Sequence, residues 1–211
     1  MLGAVLLAAG SATRMGRRPK CLLELDRVSL IKRVVLALTQ AGVDELVVVS
    51  GHYYDQVEPE IANLAVTLIR NSCPDEGHTS SLRLGLAALS SAVDRVIVAL
   101  SDQPLIDRAD IRELLNAYDT RQNEKAFVVP IVQHQPGNPV IFNARVKDEI
   151  LAKGADFGGK QWRIANPEKV YRWPSANEHF IIDVDSPEDI QTVLAKTGLQ
   201  LRWPHPSSKT E

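Results

Sequence analysis

The chain opens on an unbroken apolar run, LGAVLLAA at residues 2–9. The run stops at Gly10 and gives way to the basic residues Arg14, Arg17, Arg18 and Lys20. An apolar run without polar alternation suits a strand covered on both faces, as in a parallel sheet between helix layers. Between Gly10 and Gly16 stand Ser11, Ala12 and Thr13, short side chains that let main-chain N–H groups approach an anion. Arg14 and Lys20 add charge-assisted donors, one a planar fork and the other a mobile point charge. The stretch therefore predicts a buried strand feeding a loop that cradles polyphosphate. Two commoner phosphate loops fail on counting, because they require G-x-x-x-x-G-K-[ST] or G-x-G-x-x-G. Here five residues separate Gly10 from Gly16, and Arg17 follows.

The rest of the chain alternates. Short β-branched runs at residues 45–50, 64–70, 95–100, 126–130, 169–173 and 179–182 predict strands, and residues 21–25 and 137–142 read as extended. Helical spacing or helix signals mark residues 30–41, after the cap candidate Ser29, and 55–62, 76–89, 107–118, 145–152 and 187–196. The glycine-rich residues 154–159 read as a loop. Strand–helix alternation over this length predicts an α/β fold, a Rossmann-like doubly wound, mostly parallel sheet with helices on both faces. In such sheets ligands bind beyond the carboxyl ends of the strands. The organisation expected is one domain over residues 1–200 and a polar, Pro-rich tail over 201–211.

Composition narrows the function. A net charge of −2 with acids and bases interspersed offers no nucleic-acid surface. No apolar run approaches the roughly 20 residues of a membrane span. Cys21 and Cys73 belong to no C-x-x-C pattern, and His52, His78, His134, His179 and His205 lack zinc spacing. A secretory leader carries its basic residues before the apolar run, not after it. The location expected is the cytoplasm.

Two acidic groups are candidates for chemistry. Asp102 directly follows the strand at 95–100, which puts its carboxylate at the sheet's carboxyl edge near the first loop. Asp183 and Asp185, two apart in FIIDVDSPEDI, share one face of an extended segment and can converge on a cation. A hard cation such as Mg²⁺ takes few carboxylates and completes its shell with phosphate oxygens and water.

The opening LAAGSATRMGRRPK resembles the L-A-A-G-x-x-x-R-M-G-x-x-K signature of nucleotidyltransferases that move NMP from an NTP to a phosphate group. Among these the chain looks most like the molybdenum cofactor cytidylyltransferases of the molybdopterin nucleotidyltransferase family. The resemblance implies a nucleotide-diphospho-sugar-transferase-like fold, with Leu7, Ala8, Ala9, Gly10, Ser11, Arg14, Met15, Gly16 and Lys20 on the nucleotide. S-D-Q-P at 101–104 resembles the family's (G/S)-D-Q-P, implying Ser101 at the nucleotide and Asp102 on the metal. Asp185 would be the second ligand and Asp183 its supporting carboxylate. The S-S-L-R-x-G-L segment implies Ser81, with Ser80 as runner-up, at a pyrimidine edge. Gly137-Asn138-Pro139 resembles G-H-P, which implies Asn138 and Pro139 at the acceptor. Catalysis would rest on Arg14, Lys20 and Asp102.

By the same resemblance the reaction is Mg²⁺-dependent transfer of CMP from CTP to the terminal phosphate of molybdopterin cofactor, with release of pyrophosphate and delivery of product to a molybdoenzyme. Ala9 stands where guanylyl-transferring relatives carry Gly, which favours CTP. The alternatives are a GTP-using guanylyltransferase, a sugar- or isoprenoid-phosphate nucleotidyltransferase and, from another class, a non-catalytic cofactor chaperone. Three departures stand out: Lys20 comes one position later than usual, Asn138 replaces His, and Arg27 to Ser29 replace G-x-P.

Overall fold

The computed structural model describes residues 1–204. Its strands are β1 (Leu2–Ala8), β2 (Glu24–Leu25), β3 (Val28–Ser29), β4 (Glu45–Ser50), β5 (Thr67–Arg70), β6 (Arg95–Leu100), β7 (Phe127–Val132), β8 (Gln135–Pro136), β9 (Val140–Asn143), β10 (Val170–Pro174) and β11 (Leu201–Arg202). The helices are α1 (Leu30–Gln40), α2 (Tyr54–Ile61), α3 (His78–Ala88), α4 (Arg108–Thr120), α5 (Ala144–Ala152), α6 (Gly159–Ala165) and α7 (Pro187–Thr197). The main sheet runs β5-β4-β1-β6-β9-β7-β10, with β8 folded back on β7. All of its path is parallel except β9, which is antiparallel to both β6 and β7.

β1 lies between β4 and β6, and the chain winds first to one side of it and then to the other. That change of direction opens a crevice at the carboxyl ends of β1 and β6, the switch point where ligands bind in open α/β sheets. Strand periodicity explains how one run feeds two helix layers. Leu2, Ala4, Leu6 and Ala8 join the core with Ile31, Leu38 and Leu114, while Val5 and Leu7 join Leu82, Leu86, Val146 and Trp162. α3 lies close on the sheet because Gly85 lacks a side chain: a Cβ there would stand 2.4 Å from Val5.

Helix starts follow from local chemistry. Ser29 Oγ accepts from Lys32 N at the start of α1, and the Asp107 carboxylate accepts from Ala109 N and Asp110 N at the start of α4. In α7, with Pro187 in the first turn, the Asp189 carboxylate accepts from the N–H of Ser186.

Several segments differ from expectation. Residues 179–182 form no strand. A single 3-10 turn (Glu178–Ile181), started by the Asn177 side chain accepting from His179 N, tucks Phe180 into the core. The Phe180 carbonyl is taken by the N–H of Asn138 and by the Gln103 amide rather than by a ladder. α6 starts on the last residue of the expected loop 154–159 and runs on through residues 160–165, for which no element is expected. Only Lys20–Leu22, a 3-10 turn, and β2 form from 21–25; only β5 forms from 64–70; a 3-10 turn at Pro74–Glu76 precedes α3.

The first two residues of the tail expected over 201–211 form β11. Leu201 is buried and β11 pairs with β2, making a small sheet β11-β2-β3 under the opening loop. Residues 205–211 of that expected tail lie outside the described residues. Among the described residues, no helix is long and apolar enough to cross a membrane.

Candidate active site

At the carboxyl edge of β1 the chain leaves the sheet through residues 9–19. The left-handed positions there are not at Gly10, whose φ is not positive, but at Gly16 (φ 65°), which adopts it freely, and at Ala12 (φ 50°) and Arg17 (φ 57°), which are strained. A non-glycine residue in that region costs about 1–2 kcal/mol, so the loop persists because its surroundings hold it. Met15 is the anchor. Its side chain is buried among Leu23, Leu30, Leu105 and Val184, and neither it nor Gly16 lines the crevice. The apolar thioether is drawn into the small core beneath the loop, so Met15 ties the loop down from below. A second tether comes from Tyr53, whose hydroxyl donates to the Ser11 carbonyl at 2.7 Å.

The crevice, about 230 Å³, is walled by Leu7, Ala8, Ala9, Gly10, Ser11 and Lys20, and across from them by Ser81, Ser101 and Asp102. Ser101 is fixed by its N–H donating to the Leu7 carbonyl at 3.1 Å, which locks the ends of β6 and β1 together. Ser81 is buried and accepts from the Asn71 side-chain amide, also buried, at 2.9 Å. Ser80 also accepts from Asn71, donates to the Gly77 carbonyl and does not line the crevice, so of the two serines Ser81 faces the ligand side. Asn71 and Tyr53 escaped sequence reasoning, since neither lies in a patterned motif.

At the centre is a charge cluster assembled from distant parts of the chain. Lys20 Nζ lies 2.5 Å from Asp102 Oδ2 and 2.5 Å from Asp185 Oδ1, and Arg14 Nη1 lies 3.6 Å from Asp185 Oδ2. Burial alone would lower the Lys20 pKa, but the two carboxylates outweigh it and raise it. The hydrogen bond from Lys20 lowers the pKa of Asp185 against a smaller opposing effect of burial. Asp183 shifts the other way, raised by burial and by the like charges of Asp102 and Asp185.

The segment carrying both acids is extended but paired with no strand. Val184 points into the small core and its N–H donates to the Asp102 carbonyl at 3.0 Å, so Asp183 and Asp185 still project on the opposite side. Asp102, Asp183 and Asp185 do not gather into a three-ligand metal cluster among the described residues. A two-carboxylate arrangement of Asp102 and Asp185 is what remains. Cys21 also borders the crevice, but burial pushes its thiol up to about 12, which leaves it an inert packing group.

A second cavity, about 290 Å³, adjoins the first and shares Leu7, His78 and Leu100 with it. Val98, Phe127, Val140 and Phe142 give it an apolar floor, and Asn138, Lys160, Gln161 and Arg163 add polar groups. Asn138 reaches this cavity, whereas Pro139 is buried and does not line it. The Asn138 loop is held by Gln103, whose amide donates to the carbonyls of Asn138 (2.9 Å) and Phe180 (3.1 Å). Gly137 has no room for a side chain, since a Cβ would stand 2.4 Å from the Phe180 carbonyl oxygen.

Residues 4–170 match the MobA-like NTP transferase domain. The chain belongs to that family. With it the chain joins the nucleotidyltransferases, and the mixed sheet flanked by helices is their Rossmann-like fold.

Among curated relatives, the MobA-like NTP transferase domain is 30% identical over 167 residues to the bifunctional protein GlmU of Clavibacter sepedonicus, covering 77% of this chain and 34% of that protein. The chain thus spans about a third of the length of such relatives. A nucleotidyl transferase from Methanothermobacter has a similar structure, with TM-score 0.74, 24% identity and coverage of 93% and 97% of the two chains. So does Rv0371c from Mycobacterium tuberculosis H37Rv, solved in complex with manganese, with TM-score 0.72, 22% identity and coverage of 93% and 99%.

Proposed function

We propose that this MobA-like NTP transferase domain transfers a nucleoside monophosphate, CMP from CTP, to the terminal phosphate of molybdopterin cofactor and releases pyrophosphate. The observation that carries the reading is the convergence of Lys20, Asp102 and Asp185 beside the loop at the β1/β6 crevice. CTP is favoured by Ala9, whose methyl group lines the crevice where guanylyl-transferring relatives carry Gly.

The site suits a divalent cation. Asp102 Oδ1 is buried and bonds to nothing in the protein, an acceptor whose desolvation is uncompensated. With Asp185 it supplies the two carboxylates that Mg²⁺ takes when substrate phosphates complete its shell. When bound, Mg²⁺ supplies charge neutralisation on the reacting phosphates.

The chain's own residues do the rest. Lys20 and Arg14 hold the triphosphate and neutralise the departing pyrophosphate, and residues 9–11 line its path. Ser81 and Ser101 contact the nucleotide from across the crevice. Asn138 borders the adjoining cavity, where the acceptor enters. A phosphate monoester is already anionic near neutral pH, so attack on the α-phosphorus requires no strong base. The replacement of His by Asn138 is compatible with this, because Asn retains hydrogen bonding and gives up only titration. The protein's task is in-line placement of two anions that repel each other.

Pyrophosphate release, assayed with each NTP with and without molybdopterin cofactor, tests the reading. Release with CTP that requires the cofactor supports it. Release with a sugar or isoprenoid phosphate in its place reassigns the acceptor, and binding without turnover supports a cofactor chaperone instead.

A further inference from the structure

The second cavity holds two cations to which nothing in the reading above gives a role. Arg163 and Lys160, both on α6, border it, and neither makes an ion pair among the described residues. Arg163 Nε is buried and has no hydrogen-bond partner. Its guanidinium lies 5.6 Å from the centre of the Phe127 ring, over the apolar floor. A half-buried guanidinium whose Nε has lost water and gained no partner is costly to hold, and an incoming anion would recover part of that cost.

We infer that Lys160 and Arg163 form the receptor for the acceptor's phosphate group, with Leu7, Leu82 and Val140 walling the apolar body that carries it. The inference rests on the reading that the acceptor is a phosphate ester. It adds the residues that receive that group, and the kind of molecule the cavity takes: a phosphate on a body with an apolar face. Three features agree. The cavity opens onto the nucleotide crevice through shared walls at Leu7 and Leu100, so a phosphate held there faces the triphosphate. Its cations are separate from Arg14 and Lys20, which are already paired with carboxylates. Its floor is apolar, which a hydroxyl-covered body would leave without hydrogen-bond partners.

α6 is held in place for this role. The Trp162 indole donates to Glu149 Oε2 on α5 at 2.7 Å, and its ring stacks on Phe127. The receptor is therefore mounted on a packed element rather than on a free loop.

Calorimetric titration of the full chain with phenyl phosphate and with phenol tests the inference. Phenyl phosphate binds saturably, and phenol binds at least tenfold more weakly. Arg163→Gln weakens phenyl phosphate about tenfold or more, the scale of a lost charge-assisted hydrogen bond. Lys160→Gln, on an exposed residue, gives a smaller loss in the same direction without risk to the fold. Arg14→Ala leaves the titration unchanged. The inference is overturned if phenyl phosphate does not bind, if phenol binds equally well, if neither α6 variant weakens binding, or if Arg14→Ala does so instead. Arg163-dependent binding of phenyl phosphate by a protein that fails to use molybdopterin cofactor retires that acceptor and keeps the receptor.

Discussion

Lys20 Nζ stands 2.5 Å from Asp102 Oδ2, a contact between the loop after β1 and the end of β6. The same ammonium reaches Asp185, 165 residues further along the chain, so one side chain closes three segments around the crevice. Its charge occupies the space between two carboxylates that a divalent cation would also seek. Lys20→Met should therefore cost about 1–3 kcal/mol of stability, below the full cost of breaking a buried pair because the site is partly open. It should also strengthen Mn²⁺ binding to the nucleotide-free protein. Urea unfolding and an electron paramagnetic resonance titration check the two. Weaker Mn²⁺ binding would mean that Lys20 does not compete for the acids.

Arg83, expected only as part of a serine-rich nucleotide segment, serves as a clip. Its guanidinium donates to the carbonyls of Ile150, Leu151, Lys153 and Phe157, closing the end of α5 and the loop that leads to α6. Arg83→Ala should destabilise the fold by about 2–3 kcal/mol, since three part-buried carbonyls lose a charged donor together. In protein that remains folded at low temperature, KM for the acceptor should rise more than KM for the NTP. Equal changes in both would place the clip's effect elsewhere.

Legibility in the sequence followed the strength of local signals. β1, β4, β6, α1 and α4 carry unbroken apolar runs or helical spacing with good caps, and they form near their expected bounds. Segments decided by tertiary partners were not readable. Residues 179–182 look like a strand, yet the Phe180 carbonyl is claimed by Gln103 and Asn138. α6 begins on glycines, which predict a loop.

The site divides in the same way. Motifs mark Asp102, Asp185, Lys20 and Ser81, which the fold brings to or beside one crevice. No motif marks Arg163, Lys160, Asn71 and Tyr53, whose places are set by cavity walls and single long-range hydrogen bonds.

Backbone strain at Ala12 gives a prediction of opposite sign to most substitutions. A glycine fits φ 50° without the Cβ clash, and the only packing lost is one partly buried methyl group at the margin of the small core, so Ala12→Gly should hold or raise stability by up to about 1 kcal/mol. The loop then has more backbone freedom, and NTP affinity should fall a few-fold. Denaturant midpoints and nucleotide titration check both. A clear loss of stability would show that the left-handed turn is not strained.

Gly85 is the converse case. Gly85→Ala would drive a methyl group into Val5 and should cost about 1–3 kcal/mol, as overpacking does. An unchanged unfolding midpoint would mean that α3 can lift from β1 at no cost.

The Glu149 carboxyl is held below its ordinary range, first by the Trp162 indole N–H and then by Arg145. A carboxyl depressed in the folded state stabilises fully above its unfolded pKa and loses that stabilisation as pH falls through the lower folded value. Glu149→Gln keeps an acceptor for the indole and removes the charge. It should cost about 0.5–1 kcal/mol at pH 7, allowing for solvent screening, and progressively less as pH falls below the ordinary carboxyl range. Urea unfolding across that range checks it; a cost independent of pH would mean the charge contributes nothing.

The central claim is that Asp102 and Asp185, brought together beside the opening loop, receive the cation of a metal–nucleotide complex. Mn²⁺ titration in the presence of CTP, followed by electron paramagnetic resonance on the wild-type protein and on Asp102→Asn and Asp185→Asn, measures this directly. Each substitution should weaken Mn²⁺ binding about tenfold or more, with Asp102→Asn the larger effect because it alters the acid whose second oxygen is buried without a partner. Binding as tight in both variants as in the wild type would contradict the account.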